Sequence, residues 1–194
     1  MAEEYDKSLE TTKRIFDLYR KYGGEDYIGE PLSQTEHMIQ CAMLAEKEDF
    51  SDEVILGALF HDIGHLIGFE EQSPQMGEYG TEKHEIIGEK FLSDLGFPES
   101  VTKMVGGHVD AKRYLVYKYE DFYEKLSAAS KQTLIHQGGP MSAEEASAFE
   151  KLPVFKALIQ MRTWDDKGKI EGLPIEPLSK YEDMCIKYLK SINK

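Results

Sequence analysis

The chain has 194 residues, 41% hydrophobic and 30% charged, and its 36 acidic against 23 basic side chains leave a formal charge of −13 with a pI near 4.9. That balance predicts one soluble globular domain over residues 1–194, with a core large enough to need no disulfide. It excludes the basic footprint of a nucleic-acid binder; no apolar run approaches the roughly 20 residues of a membrane span, and the acidic start MAEEYDKSLE lacks a secretory pattern, so the expected location is the cytoplasm.

Apolar residues recur at three and four along almost the whole chain, and strict alternation is missing, so the fold class is all-α. A first helix runs from about Asp6 to Tyr22 and stops at Gly23-Gly24. After a loop, EDYIGEPLS, Ser33 and Glu36 form a capping box for a second helix from Gln34 to Lys47. A third, capped by Ser51-Asp52, runs from Glu53 to His65 and is apolar nearly all round over Val54 to Phe60, so it is buried. The polar Gly68 to Gly80 stretch reads as a surface loop or lid. A fourth helix starts near Thr81 or Glu82 and ends before Gly96; a fifth runs from Pro98 to His108. Shorter helices follow at Ala111 to Lys118, Glu120 to Leu126 and Ala128 to Gln137. Ser142 and Glu145 then cap one reaching Lys151, and the last two span Pro153 to Lys167 and Ser179 to Ile192. Cys41 and Cys185 belong to no cysteine framework and read as buried, inert thiols.

The chemistry is concentrated in HDIGH, where His61-Asp62 and His65 close the most buried helix. A carboxylate there costs several kcal/mol unless it is paired or bound to a metal. His37, His61, His84 and His108 recur at intervals of 24, 23 and 24 residues, each about one helix and one connection. Their phase points them inward: His37 with Cys41 and Leu44, His84 with Ile87 and Phe91, His108 with Val101, Met104 and Val105. Leu158, Met161, Arg162 and Asp165 form another core stripe, and spacing prefers Asp165 over its neighbour Asp166. Four histidines and two aspartates suit two first-row metals held by N and O donors in a bundle core. Zinc on His37 and Cys41 would need more cysteines than exist here. His136, beside Gly138-Gly139-Pro140, reads as an ordinary core histidine.

On these residues the chain resembles the HD superfamily of helical metalloproteins, with His37, His61-Asp62 and Asp165 meeting its pattern of His, HD and distant Asp. His84 and His108 match the subset that holds two metals. From YIGEPLSQTEHMIQCA through ALFHDIGH, GHVDAKRYL, LSAAS and QGGPMSAEEA to RTWDD, it is similar to the PhnZ-like mixed-valent diiron oxygenases that cleave phosphonates, and more distantly to myo-inositol oxygenase. The resemblance implies an HD-type bundle whose Fe(II)/Fe(III) pair uses O2 to split the carbon–phosphorus bond of 2-amino-1-hydroxyethylphosphonate, giving glycine and phosphate. One iron would take His37, His61, Asp62 and Asp165; the other would take His84, His108 and the bridging Asp62. Tyr27 would cap an iron at rest, Glu30 would receive the substrate amine, and His65, Lys112 and Ser130 would hold phosphonate oxygens. Asp62, His65 and Lys112 are the residues implied in catalysis. A small organophosphonate is the implied partner. The alternative is an HD phosphohydrolase acting on a small phosphate ester or nucleotide, which the pairing of His84 and His108 with Tyr27 and Glu30 disfavours; a non-catalytic HD-like module disagrees with six filled ligand positions.

Overall fold

The helix signals of the sequence become helices in the computed structural model, which describes residues 2–27 and 29–192. In chain order they are α1 (Ala2–Tyr22), α2 (Gln34–Lys47), α3 (Asp52–Phe60), α4 (Ile63–Glu71), α5 (His84–Asp94), α6 (Glu99–Lys118), α7 (Phe122–Lys125), α8 (Ala128–His136), α9 (Ala143–Phe149), α10 (Phe155–Lys167) and α11 (Leu178–Ile192). Among the described residues only the isolated bridges Asp26–Ser33 and Gln75–Thr81 have strand pairing, so the fold is an all-α bundle. Both capping boxes form: Ser33 with Glu36 opens α2, and Ser142 with Glu145 opens α9. No helix among the described residues is long and apolar enough to cross a membrane.

The structure corrects four boundaries, and each correction bears on the site. The expected helix from Glu53 to His65 is two, because α3 ends at Phe60 and α4 begins at Ile63. No proline or glycine marks that break. It is sustained by side-chain partners, one local and one tertiary, for the carbonyls that ending a helix frees: the Ala58 carbonyl is bonded by His61 Nδ1 at 2.9 Å, and the Leu59 carbonyl accepts from the Tyr19 hydroxyl at 2.7 Å. Helix α4 continues to Glu71 and closes on Gln72 at φ 54°, so the expected Gly68 to Gly80 loop is helical in its first turn. Helix α5 begins at His84, after Lys83 in the left-handed region at φ 58°. Finally, α6 runs unbroken past His108, since Gly106-Gly107 remain helical and Val109-Asp110 carry no breaker; this puts His108 and Lys112 one turn apart on one face.

The core is built from α1 to α6, α10 and α11, with Phe16, Phe60, Trp164 and Tyr181 among its fully buried side chains. A smaller cluster of Tyr114, Leu115, Phe149 and Leu158 packs beside it. Both cysteines are buried free thiols, as expected. His136 is not the core residue expected; it is exposed at the end of α8 beside Ile135, which is 67% exposed.

One glycine pair decides how closely the segment before α5 approaches α4. A Cβ on Gly64 would lie 1.9 Å from the His84 carbonyl oxygen, and one on Gly68 would lie 2.1 Å from Thr81 Oγ1. Gly64→Ala therefore forces backbone apart where overpacking already costs about 1–3 kcal/mol. We expect it to lower the melting temperature by roughly 5 °C or more and to displace His84, whereas Gly24→Ala, with nothing within 4 Å, should shift it by less than about 2 °C. Thermal denaturation of the two variants checks this.

Candidate metal centre

Four helical elements deliver four imidazoles, and in each the outer nitrogen is committed to a backbone carbonyl. His37 Nδ1 lies 2.8 Å from the Gly168 oxygen, His61 Nδ1 2.9 Å from Ala58, His84 Nδ1 3.2 Å from Thr81 and His108 Nδ1 2.7 Å from Val105. A carbonyl only accepts, so each Nδ1 carries the proton and each Nε2 presents a lone pair inward. The Nε2 atoms meet in two pairs, His37 with His61 and His84 with His108, both at 3.1 Å. Two facing lone pairs repel unless a cation lies between them, and donors sharing one first-row metal ion at about 2.0–2.2 Å stand about 3 Å apart. The geometry fits metal binding.

Asp62 joins the pairs. Its Oδ2 lies 3.3 Å from His61 Nε2 and 3.6 Å from His37 Nε2, while its Oδ1 lies 3.3 Å from His108 Nε2 and 3.4 Å from His84 Nε2. One carboxylate thus offers one oxygen to each imidazole pair. Asp62 is the N-cap of α4 and makes no capping hydrogen bond, which frees both oxygens for this. Burial opposes its charge, but proximity to His61, with His108 and His84 beside it, outweighs that and holds its carboxyl well below the usual carboxylate range. Asp165 is the sixth donor: Oδ1 is 3.4 Å from His37 Nε2 and has no hydrogen-bond partner, while Oδ2 accepts from Arg162 Nη1 at 2.5 Å. A buried carboxylate oxygen with no hydrogen-bond partner among the described residues, beside an imidazole lone pair, is a donor that fits a cation. Cys41 Sγ is 4.0 Å from His37 Nε2, but burial, with Asp165 and Asp62 adding to it, pushes its thiol up and away from the thiolate a zinc would need.

A cavity of about 60 Å³ opens onto the His84–His108 pair and reaches the carboxylates of Asp62 and Asp165. At about 10–15 Å³ per water-sized group it admits only a small ligand. Of the predicted residues, Tyr27, Glu30, His65, Lys112 and Ser130 all line it. Ser130 is not a helix cap; Ser127 caps α8, its hydroxyl accepting from the Ser130 amide. His65 has the opposite tautomer from the four inner imidazoles, because its Nδ1 accepts from the Thr81 amide at 3.0 Å. Burial, with His84 close by, keeps it neutral, so its Nε2–H is the donor it can offer a ligand. Lys112 donates to Thr133 Oγ1 at 2.8 Å, and burial, reinforced by Arg162, lowers its pKa to about 7. Tyr27 stacks on His37 at 4.0 Å. Sequence reasoning missed Lys169 altogether and did not place Arg162 at the cavity. Arg162 was visible on the Asp165 stripe, but Lys169 lies past the end of α10, where no periodicity speaks for it.

These distances predict about two metal ions per chain. Asp62→Ala removes the one group both pairs share and should leave less than one ion per chain by elemental analysis, while exposed His136→Ala should leave the content unchanged. Metal retention should also weaken as pH falls, since despite its burial the Asp62 charge raises His61 above the ordinary imidazole value, so that protons compete for its Nε2 from that raised pH downward.

Comparison with known proteins agrees with this centre. Residues 35–163 match the HD domain family. The chain is 41% identical over 155 residues to the [1-hydroxy-2-(trimethylamino)ethyl]phosphonate dioxygenase (glycine-betaine-forming) of Leisingera caerulea, covering 80% of this chain and 78% of that one. It is 34% identical over 184 residues to the hydroxymethylphosphonate dioxygenase of Gimesia maris, covering 92% and 90%. It is also 42% identical over 181 residues to an uncharacterized protein of Acanthamoeba polyphaga mimivirus, covering 93% and 83%. With six convergent donors and this coverage, the chain belongs to the HD superfamily, in its branch of PhnZ-like phosphonate oxygenases.

Proposed function

We propose that this chain is an O2-dependent diiron oxygenase that cleaves the carbon–phosphorus bond of 2-amino-1-hydroxyethylphosphonate. The products are glycine and phosphate, and one O2 is consumed for each bond broken. The observation that carries the reading is the Asp62 carboxylate, with one oxygen turned to each of two imidazole pairs, beside a small cavity that His65, Lys112 and Ser130 line. His37, His61, Asp62 and Asp165 would hold one iron, and His84, His108 and Asp62 would hold the other. An Fe(II)/Fe(III) pair, when bound, supplies the redox chemistry that O2 requires.

The chain's own residues bind and orient. Lys112, the Ser130 hydroxyl and the His65 Nε2–H take phosphonate oxygens, giving the charge-assisted bonds a dianion needs in an acidic protein. Glu30 takes the ammonium, and Tyr27 covers the His37 side of the centre until substrate arrives. The small cavity, walled by Met76 and Tyr79, limits water around the hydroxyl-bearing carbon. The partner is thus a small organophosphonate and not nucleic acid or membrane. Free buried thiols support a reducing, cytoplasmic setting, and we take residues 1–194 as one domain.

Phosphate release from 2-amino-1-hydroxyethylphosphonate should require O2, read as oxygen uptake matched to phosphate formed; release under anaerobic conditions would instead favour the phosphohydrolase. Lys112 provides a pH test. With its pKa at about 7 the free amine predominates at pH 8, and a bound dianion restores the ammonium, so binding takes up a proton and affinity falls as pH rises above 7. Buffer-dependent calorimetry at pH 8 should show that uptake, and Lys112→Met should abolish it.

A further inference from the structure

Lys169 has no part in the assignment above, yet it occupies the position given there to the substrate amine. Its Nζ lies 3.4 Å from Glu30 Oε1, 3.5 Å from Ser130 Oγ and 4.0 Å from Asp165 Oδ1, and stands 5.4 Å from the centroid of the Tyr27 ring. A carboxylate, a hydroxyl and an aromatic face are the groups that recognise an alkylammonium. The Lys169 and Glu30 side chains are only 11% and 13% exposed, so a Glu30 carboxylate with no cation beside it would be costly.

We propose that Lys169 is a specificity-determining residue, an internal ammonium that neutralises Glu30 when the bound phosphonate lacks an amine and gives up Glu30 to one that has it. The inference rests on the phosphonate reading above. An aminated substrate must displace Lys169 from Glu30, and the displaced ammonium already lies at Ser130, on the side that holds the phosphonate. An amine-free 1-hydroxyphosphonate leaves the Lys169–Glu30 pair intact and does not strand a buried charge. The chain therefore discriminates weakly between the two substrate classes, and it does so because of Lys169.

The test is calorimetric binding, without O2, of hydroxymethylphosphonate and of 2-amino-1-hydroxyethylphosphonate to the iron-loaded protein. Lys169→Met should shift the ratio of the two Kd values about tenfold or more toward the aminated compound, the worth of one charge-assisted hydrogen bond. Lys169→Arg should keep the wild-type ratio. The double variant Lys169→Met with Glu30→Gln should lose the shift, because no carboxylate is left to read the amine. Lys169→Gln serves in place of the Met variant if the latter is unstable. A ratio unchanged in Lys169→Met, or a shift that survives in the double variant, overturns the role of Lys169 while leaving the phosphonate reading standing. Wild-type protein that binds neither compound overturns the phosphonate reading and the inference with it.

Discussion

A carboxylate buried where helices converge has to find positive charge, and in this chain that demand falls on Asp62. It is 3% exposed and, among the described residues, pairs with no lysine or arginine; its oxygens face four imidazoles instead. Imidazoles whose outer nitrogens hold the proton offer lone pairs, which do not neutralise an anion. The arrangement is stable as a cation-binding site and strained as anything else. The break between α3 and α4 serves it: a continuous helix would direct Asp62 along the helix surface, whereas the interruption frees its carboxylate at the start of α4, where the helix dipole also favours negative charge.

Backbone carbonyls decide what each histidine can do. Ala58 and Val105 lie three residues before the imidazoles they orient, and Gly168 reaches across from the end of α10. Thr81 sets two rings in opposite senses. Its carbonyl is bonded by His84 Nδ1 and turns the His84 lone pair inward, while its amide donates to His65 Nδ1 and leaves His65 with a proton to offer. His65 and His84 stack at 4.0 Å, yet one is fit to bind a metal and the other to bind an anion. The glycines of α4 make this possible, because only there can the Thr81 to His84 backbone come close enough.

Much of this geometry was legible in the sequence for a physical reason: inward-facing side chains must lie on the apolar stripes of their helices, and those stripes have a period. His37, His84 and His108 were found by phase, and His61-Asp62 by the cost of burying a carboxylate. What periodicity does not encode stayed hidden. The α3–α4 break has no local breaker and depends on Tyr19, 40 residues away from the carbonyl it bonds. The continuity of α6 was obscured by a histidine read as an end point, and His136 by neighbours whose apolar character did not bring burial. Lys169 follows Gly168, which ends α10, so no helical pattern predicts its return toward Glu30.

The acidic chain, at −13, binds a dianion in this reading, and local charge resolves the conflict. The charged residues lining the cavity balance among the described residues: Glu30, Asp62 and Asp165 against Lys112, Arg162 and Lys169. Arg162 is already committed to Asp165 and Asp166, and Lys169 to Glu30, so the cavity's own side chains have little positive charge to spare for a ligand. Metal ions on the six inner donors would change that sign, neutralising Asp62 and Asp165 and leaving the cations in excess. In this reading affinity for an anion is conditional on metal at the six inner donors, and charge alone sets the order, metal first and phosphonate second, with Lys112 and, by the proposal above, Lys169 adjusting the balance to the substrate.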